Sequence, residues 1–227
     1  MHLAADEWTH RPQNRANASS ICVDTNLAFG MRAIQLTPAW LLGIVVWLAL
    51  MVGSYAWLLR YSFAVGKTAV APRTIPAELG LPARLARPQL FLALHPRCPC
   101  SRATVNELAK ILTQAPNASD VTVFMYKPSR EPARWLEGAL LDACRRMGCQ
   151  IRPDPDGRLA ASLGSLTSGG VVLYDAEGKL RYQGGITGSR GHEGDNAGEQ
   201  GIIEILHGRR SSHKSMPVFG CPIQQPD

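Results

Sequence analysis

The segment that most constrains the fold runs from Leu90 to Arg102, where an apolar stretch leads into Cys98-Pro99-Cys100. Residues 90–94 read as a short buried strand. Beyond the cysteines, apolar side chains recur every three or four residues up to Leu112, which indicates a helix with one buried face. Pro99 suits the first position of that helix, because the N–H that it lacks would be unpaired there. The sequence thus predicts cysteines at a junction from strand to helix.

A reactive thiol is expected at Cys98. As the predicted cap of the helix, Cys98 would have the N–H groups of Cys100 and Ser101 directed at its sulfur. The helix dipole and the neighbouring Arg97 would both favour its thiolate. The alternative is that both cysteines are small buried apolar residues. Two cysteines flanking a proline at a helix start favour chemistry, either redox exchange or binding of a soft metal ion.

The composition limits the partners. A length of 227 residues leaves room for one globular domain and an appendage. The formal net charge is +6, but the cations are scattered and form no basic face with aromatic residues. We therefore expect no nucleic-acid partner.

The N-terminal part contains a candidate membrane span. Residues 39–59 are nearly all apolar and long enough to cross a bilayer core of about 30 Å. Trp40 near one end, and Tyr55 and Trp57 near the other, suit the headgroup layers. We predict an uncleaved transmembrane anchor, with a long signal sequence as the alternative. The polar residues 1–38 before it are expected to hold little packed structure.

The orientation of the anchor follows from the cysteines. Basic residues flank the span on both sides, so the positive-inside count is nearly a tie. The cysteines beyond the span favour a location outside the cytosol. We expect a single-pass protein of the inner membrane with its C-terminal domain in the periplasm and Cys22 on the opposite side. A chain that began at Met31 would have a short basic head directly before its apolar helix, as ordinary signal anchors do.

The remainder divides into a linker, a domain and a tail. Residues 60–87 are rich in proline, and we expect a semi-extended linker that does not pack on the domain. Residues 88–207 are expected to form a mixed α/β sheet domain with the element order β-α-β-α-β-β-α. Residues 208–227 form a tail that carries Cys221.

Several elements of the domain have clear signals. A second helix is predicted to start near Pro132 and to end at Gly148. A polar loop follows, and then a hairpin over residues 171–183 with its turn at residues 176–178. A last helix is expected at residues 199–206.

This order, with a cysteine at the first strand-to-helix junction, resembles the thioredoxin fold. The resemblance extends through Asp156-Gly157, Leu173-Tyr174-Asp175 and Tyr182. This pattern of residues is similar to that of membrane-tethered thiol–disulfide reductases and peroxiredoxin relatives. Together with the single N-terminal helix, Cys-Pro-Cys and residues 185–192 resemble the bacterial proteins called RedB. The resemblance implies a thiol–disulfide oxidoreductase fold with Cys98 as the nucleophile.

Three departures put ordinary thioredoxin activity in doubt. Thioredoxins carry Cys-x-x-Cys, but here Ser101 occupies the fourth position and the second cysteine is Cys100. The family's cis-proline would fall near Gly170, where the chain has no proline, and the family's buried acid would fall at Leu92. The rest of the relay must therefore come from other residues.

The resolving cysteine stays open among Cys100, Cys149 and Cys221. A Cys98–Cys100 disulfide would be strained and easily reduced. Cys149 follows a helix-ending glycine and is expected to be more exposed, whereas Cys144 is expected in the core. Cys221 is either a resolving thiol or an adventitious one.

A proton carrier is expected in the glycine-rich residues 184–198. The direction of the hairpin returns this segment to the Cys98 end of the sheet. His192 is the candidate acid–base group, with Glu193 holding its ring and His95 as a nearer rival; the alternative is a solvated loop.

These observations favour a membrane-anchored thiol–disulfide oxidoreductase that acts on protein thiols and disulfides without a cofactor. One alternative is a copper-binding thioredoxin-fold chaperone with Cys98, Cys100 and His95 or His192 as ligands. Another is a thiol peroxidase, which needs one acidic cysteine and a resolving partner.

Overall fold

The computed structural model describes residues 37–82 and 84–224. The predicted polar segment at residues 1–38, with Cys22, lies almost wholly outside the described residues. Contacts divide the chain into two units, Met1–Trp47 and Leu48–Asp227.

Helix α1 spans Pro38–Ser62 and covers the predicted span at residues 39–59. None of its residues is buried, and its most apolar 18-residue window has a mean hydropathy of 2.0. Its charged residue is Arg60, which lies in the last turn. By length and composition it can cross a membrane.

The rest of the described chain forms a six-stranded mixed sheet with helices on its faces. The strands are β1 (Gln89–Leu94), β2 (Asp120–Lys127), β3 (Gln150–Pro155), β4 (Gly170–Tyr174), β5 (Leu180–Gly184) and β6 (Ser215–Met216). The helices are α2 (Ser101–Gln114), α3 (Ala139–Arg146), α4 (Arg158–Ser162) and α5 (Ala197–Leu206). The strand order is β3-β2-β1-β4-β5-β6.

Strand β1 lies at the centre because it is apolar on both faces. All six of its residues are buried, including Leu90, Leu92 and Leu94. It pairs parallel to β2 and antiparallel to β4, and β4 pairs antiparallel to β5. The predicted hairpin, the mixed sheet and the thioredoxin-like fold class are thus confirmed.

Two elements differ from the prediction. The predicted polar loop contains β3 and α4, and the Asp154 carboxylate accepts the N–H groups of Leu159 and Ala160 in the first turn of α4. The helix predicted from Pro132 is instead a short 3-10 turn at Ala133–Leu136 followed by α3. The break occurs at Gly138, whose φ of 148° is a conformation that suits glycine.

Each face of the sheet has its own apolar core. On one face, Leu108 and Ile111 of α2 pack with Ile202 of α5. On the other, Phe91 and Phe124 stack with their ring centroids 5.4 Å apart.

The linker prediction is wrong in one respect, because residues 66–75 pack on the domain. Ala71 is buried, and its N–H donates to Oε1 of Gln183, whose amide nitrogen in turn donates to the carbonyl of Ala69. Tyr174 donates its hydroxyl proton to the carbonyl of Pro72. The segment that follows α1 is therefore held by side chains of β4 and β5.

The tail also packs on the domain. Strand β6 pairs parallel to β5, and the N–H of Gly66 donates to the carbonyl of Val218 at 2.8 Å. The segment that follows α1 therefore holds the segment that leads to Cys221.

We expect Gln183→Ala to release the linker. Two hydrogen bonds would be lost, each worth about 1 kcal/mol, so the linker should open about thirtyfold more often. The rate of tryptic cleavage after Lys67 and Arg73 in the full-length protein in detergent measures this opening. Gln200→Ala, on the exposed side of α5, is the matched control. Equal cleavage rates in both variants would show that Gln183 does not hold the linker.

Candidate active site

Three cysteines meet at the end of β1. The sulfur atoms of Cys98, Cys100 and Cys221 all lie within 4.8 Å of one another. Cys98 and Cys100 are buried, Cys221 is half-buried, and all three are free thiols. The tail that carries Cys221 therefore completes a site that begins at Cys-Pro-Cys.

The junction between β1 and α2 differs in detail from the predicted cap. Helix α2 begins at Ser101, so Cys100 rather than Cys98 is the capping residue. The N–H of Ser101 donates to the carbonyl of Cys98 at 3.1 Å and does not point at its sulfur. Cys98 lies in a turn closed by its own N–H donating to the carbonyl of His95 at 3.0 Å.

The pKa of the Cys98 thiol is nevertheless lowered from its usual value. Burial alone would raise this pKa, but hydrogen bonds to the sulfur outweigh that effect. The donors are the thiol and the backbone N–H of Cys221, the hydroxyl of Ser101 and the backbone N–H of Cys100. Most of the stabilisation of the thiolate thus comes from the tail and from side chains rather than from the helix end.

The other thiols are weaker acids. Burial, and then the charge of Cys98 and a hydrogen bond to it, raise the pKa of Cys100. Burial and the same interactions with Cys98 raise the pKa of Cys221 to about 12. Cys144 and Cys149 are buried in the core of the α2 face, and burial raises their pKa values to about 12 and about 11. The expected exposure of Cys149 is therefore wrong, since the core covers it.

A closed set of hydrogen bonds fixes the loop before β4 against the junction. The N–H of His95 donates to Oγ of Ser168 at 2.9 Å, the two hydroxyls of Ser168 and Ser101 pair at 2.8 Å, and Ser101 donates to the carbonyl of His95 at 3.1 Å. All three residues are buried. Because the Ser101 proton can serve either that carbonyl or the Cys98 sulfur, the hydroxyl can follow the charge on the sulfur.

The same loop holds the tail in an extended conformation. The N–H of Ser168 donates to the carbonyl of Cys221 at 2.8 Å, and the N–H of Ile223 donates to the carbonyl of Leu166 at 2.9 Å. A β-carbon at Gly220 would lie 2.0 Å from the carbonyl oxygen of Ser168, so only glycine allows this approach. Cys221 is thereby positioned by backbone contacts on both sides.

An aromatic cavity of about 340 Å³ opens beside Cys98 and Cys221. The ring of His95 stacks on Tyr126 with centroids 5.0 Å apart, and the Arg97 guanidinium lies 4.8 Å from the centroid of the Trp135 ring. Burial, and then the charge of Arg97, lower the pKa of His95, which favours neutral imidazole. Arg97 is exposed and contributes to the cavity wall; the groups that lower the pKa of Cys98 do not include it.

The glycine-rich loop brings a different residue to the thiols from the one expected. The positive charge of Arg190 acts on Cys100 and Cys221, and its guanidinium lies 5.2 Å from the centroid of the Tyr61 ring. His192 and Glu193 are exposed. Glu193 accepts a hydrogen bond from Asn106 on α2 at 2.8 Å, so its described hydrogen bond is not to His192.

Buried acids hold the far side of this loop. The N–H of Gly194 donates to Oε1 of Glu107, which also pairs with Lys110 at 2.8 Å. Burial, and then the neighbouring Glu107, raise the pKa of Glu199 to about 7. These contacts explain why the loop presents Arg190 to the thiols and leaves His192 at the surface.

Sequence reasoning missed Arg190 and Ser168. The direction of the hairpin did bring the glycine-rich loop to the site, and Arg190 is the basic residue inside it. Ser168 stands directly before the glycines that precede β4. Cys221 was one of three candidates, and nothing local distinguished it.

No family model matches the sequence, and no curated protein matches it significantly. A hypothetical protein from Sinorhizobium meliloti 1021 superimposes with a TM-score of 0.50 and 18% identity, over 71% of this chain and 94% of the other. An uncharacterized conserved protein from Geobacillus kaustophilus superimposes with a TM-score of 0.50 and 16% identity, over 71% of this chain and 92% of the other. A secreted Mycobacterium tuberculosis disulfide oxidoreductase homologous to E. coli DsbE superimposes with a TM-score of 0.34 and 17% identity, over 43% of this chain and 69% of the other. At these identities the likeness concerns the fold alone, and the resemblance to RedB proteins stays a prediction.

We expect Cys98 to be the first of the five described cysteines to react with iodoacetamide as the pH rises. Its lowered pKa means that thiolate is already present at pH values where Cys144, Cys149 and Cys221 are still protonated. Peptide mapping by mass spectrometry from about pH 6 to about pH 10 locates the label. Earlier labelling of Cys100 or Cys149 would contradict the assignment of Cys98 as the acidic thiol.

Proposed function

We propose that the protein is a thiol–disulfide oxidoreductase in which Cys98 is the nucleophile and Cys221 the resolving thiol. The observation that carries this proposal is that their sulfurs lie within 4.8 Å of each other, while hydrogen bonds from Cys221 help to lower the pKa of Cys98. Cys100 lies in the same group but within two residues of Cys98, where a disulfide would be strained.

In the first step, the Cys98 thiolate attacks one sulfur of a protein disulfide. The bond between Cys98 and that sulfur forms, the disulfide bond of the substrate breaks, and the departing thiolate takes a proton from the solvent. As the charge on Cys98 disappears, the Ser101 hydroxyl returns to the carbonyl of His95. The product is a mixed disulfide.

In the second step, Cys221 resolves the mixed disulfide. Two of the causes that raise its pKa, the hydrogen bond to Cys98 and the charge of Cys98, are gone at this stage, while Arg190 still favours its thiolate. The Cys221 sulfur loses its proton and attacks Cys98, and the second substrate thiolate leaves. The substrate has gained two electrons and two protons, and the Cys98–Cys221 pair has become a disulfide.

An external dithiol returns the pair to its reduced form by the same two steps in reverse. The aromatic cavity beside Cys98 and Cys221 offers an extended peptide apolar contact next to the reacting sulfurs. Protein thiols and disulfides are therefore the proposed substrates. The peroxidase alternative and a proton relay through His192 stay predictions.

Cys221→Ser should trap the mixed disulfide. Cys100 remains beside the mixed disulfide but could close only a strained ring with Cys98. The second step then depends mainly on free thiols at far lower effective concentration, so the lifetime of the intermediate should rise at least tenfold. Non-reducing electrophoresis and mass spectrometry after addition of a disulfide-containing model peptide measure it. Cys149→Ser, which removes a core thiol outside the cluster, is the matched control.

Cys98→Ser should form no mixed disulfide. If Cys149→Ser traps the intermediate and Cys221→Ser does not, the resolving role belongs to Cys149 and not to the tail.

We further propose that α1 anchors the protein in the inner membrane with the domain in the periplasm. The support is a helix with no buried residue and a mean hydropathy of 2.0 over its most apolar window, followed by a domain rich in cysteine.

Protease added to intact spheroplasts should therefore digest the domain, while a cytosolic marker protein stays intact. Alkaline carbonate should leave the protein in the membrane fraction. Protection of the domain until the membrane is permeabilised would reverse the proposed orientation, and its release by carbonate would exclude the anchor.

A further inference from the structure

The geometry of the cysteine cluster suits a second kind of chemistry, in which all three sulfurs act together. A first-row metal ion bound to thiolates lies about 2.3 Å from each sulfur, which places three sulfurs about 4 Å apart in a trigonal site. The three sulfurs here lie within 4.8 Å of one another. Movements of less than about an ångström, within the reach of side-chain rotation, would close the site.

We propose that Cys98, Cys100 and Cys221 form a three-coordinate site for Cu(I). The proposal differs from the copper alternative derived from the sequence, because the third ligand is the tail cysteine and not a histidine. It stands on the geometry of the cluster and does not depend on disulfide exchange.

The number of ligands favours Cu(I) over zinc. Thiolates select soft ions such as Cu(I) and also bind zinc, but zinc is four-coordinate and would need a water molecule beside these three sulfurs. Within residues 37–82 and 84–224, the metal-competent group contains these three cysteines and no histidine, aspartate or glutamate. His95 is engaged otherwise, since its Nδ1 accepts the N–H of Arg97 at 3.2 Å and its ring stacks on Tyr126.

A nearby cation suits an anionic thiolate complex. Each sulfur that is still protonated releases its proton to the solvent on binding. One Cu(I) with three thiolates carries a net charge of −2, with no change in oxidation state. Arg190 faces Cys100 and Cys221, and none of the described ion pairs joins it to a carboxylate. Its buried Nε has no described hydrogen-bond partner. The guanidinium is thus available to offset an anionic complex.

The tail already holds Cys221 in the position that metal binding requires. Backbone hydrogen bonds from Ser168 and to Leu166 already place Cys221 against the other two sulfurs. Preorganisation of this kind removes part of the ordering entropy that a flexible ligand would lose on binding.

The test uses the full-length reduced protein in detergent under anaerobic conditions. Cu(I) is supplied as its acetonitrile complex in competition with the chromophoric chelator bicinchoninate. We expect one copper per chain, and X-ray absorption should show three sulfur atoms at about 2.3 Å. Cys221→Ser and Cys100→Ser should each weaken binding at least about 100-fold, whereas Cys149→Ser should bind like the wild type.

Circular dichroism confirms that each variant is folded, and two independent ligand variants keep the test valid if one of them is not. Wild-type affinity in both ligand variants, or a two-coordinate sulfur site, would overturn the proposal. Preference for Zn(II) over Cu(I) in a parallel titration would overturn the choice of ion. A protein that exchanges disulfides but binds no copper refutes this inference alone, and one that binds copper but exchanges no disulfides refutes only the proposed activity.

Discussion

The site depends on the closed set of hydrogen bonds among His95, Ser168 and Ser101. These buried groups connect the end of β1, the loop before β4 and the start of α2, and each polar group finds its partner inside the set. Loss of one hydroxyl would leave a buried group unsatisfied, at a cost of about 1–3 kcal/mol. Because Ser168 also donates its N–H to the tail, this set determines where Cys221 lies.

The glycine-rich loop places a positive charge near two of the thiols, that of Arg190. Its far side is fixed to α2 through Asn106 and Glu107, and its near side carries Arg190. This permanent positive charge favours the anionic forms of Cys100 and Cys221. This arrangement serves a thiolate that exchanges disulfides and a thiolate that binds a soft cation equally well.

The sequence predicts the central sheet and the place of Cys98 between β1 and α2 because their signals are local. The run at β1, the helical period of α2 and the hairpin each lie within one short window. Strand β3 is missed because it is an edge strand with Pro153 and Pro155, a composition typical of loops. The contact of Cys221 with Cys98 cannot be read from the sequence, since it arises from backbone pairing between segments that are distant in the chain.

Because hydrogen bonds from the tail help to lower the pKa of Cys98, the acidity of this thiol changes while the chain is being made. A growing chain exposes Cys98 long before Cys221 has been made, and at that stage two of the groups that stabilise the thiolate are missing. The unfinished chain therefore carries an ordinary, weakly acidic thiol at Cys98. The pKa of Cys98 reaches its lowered value only when Gly220 allows the tail to pack against Ser168. The acidity of this cysteine therefore depends on completed folding.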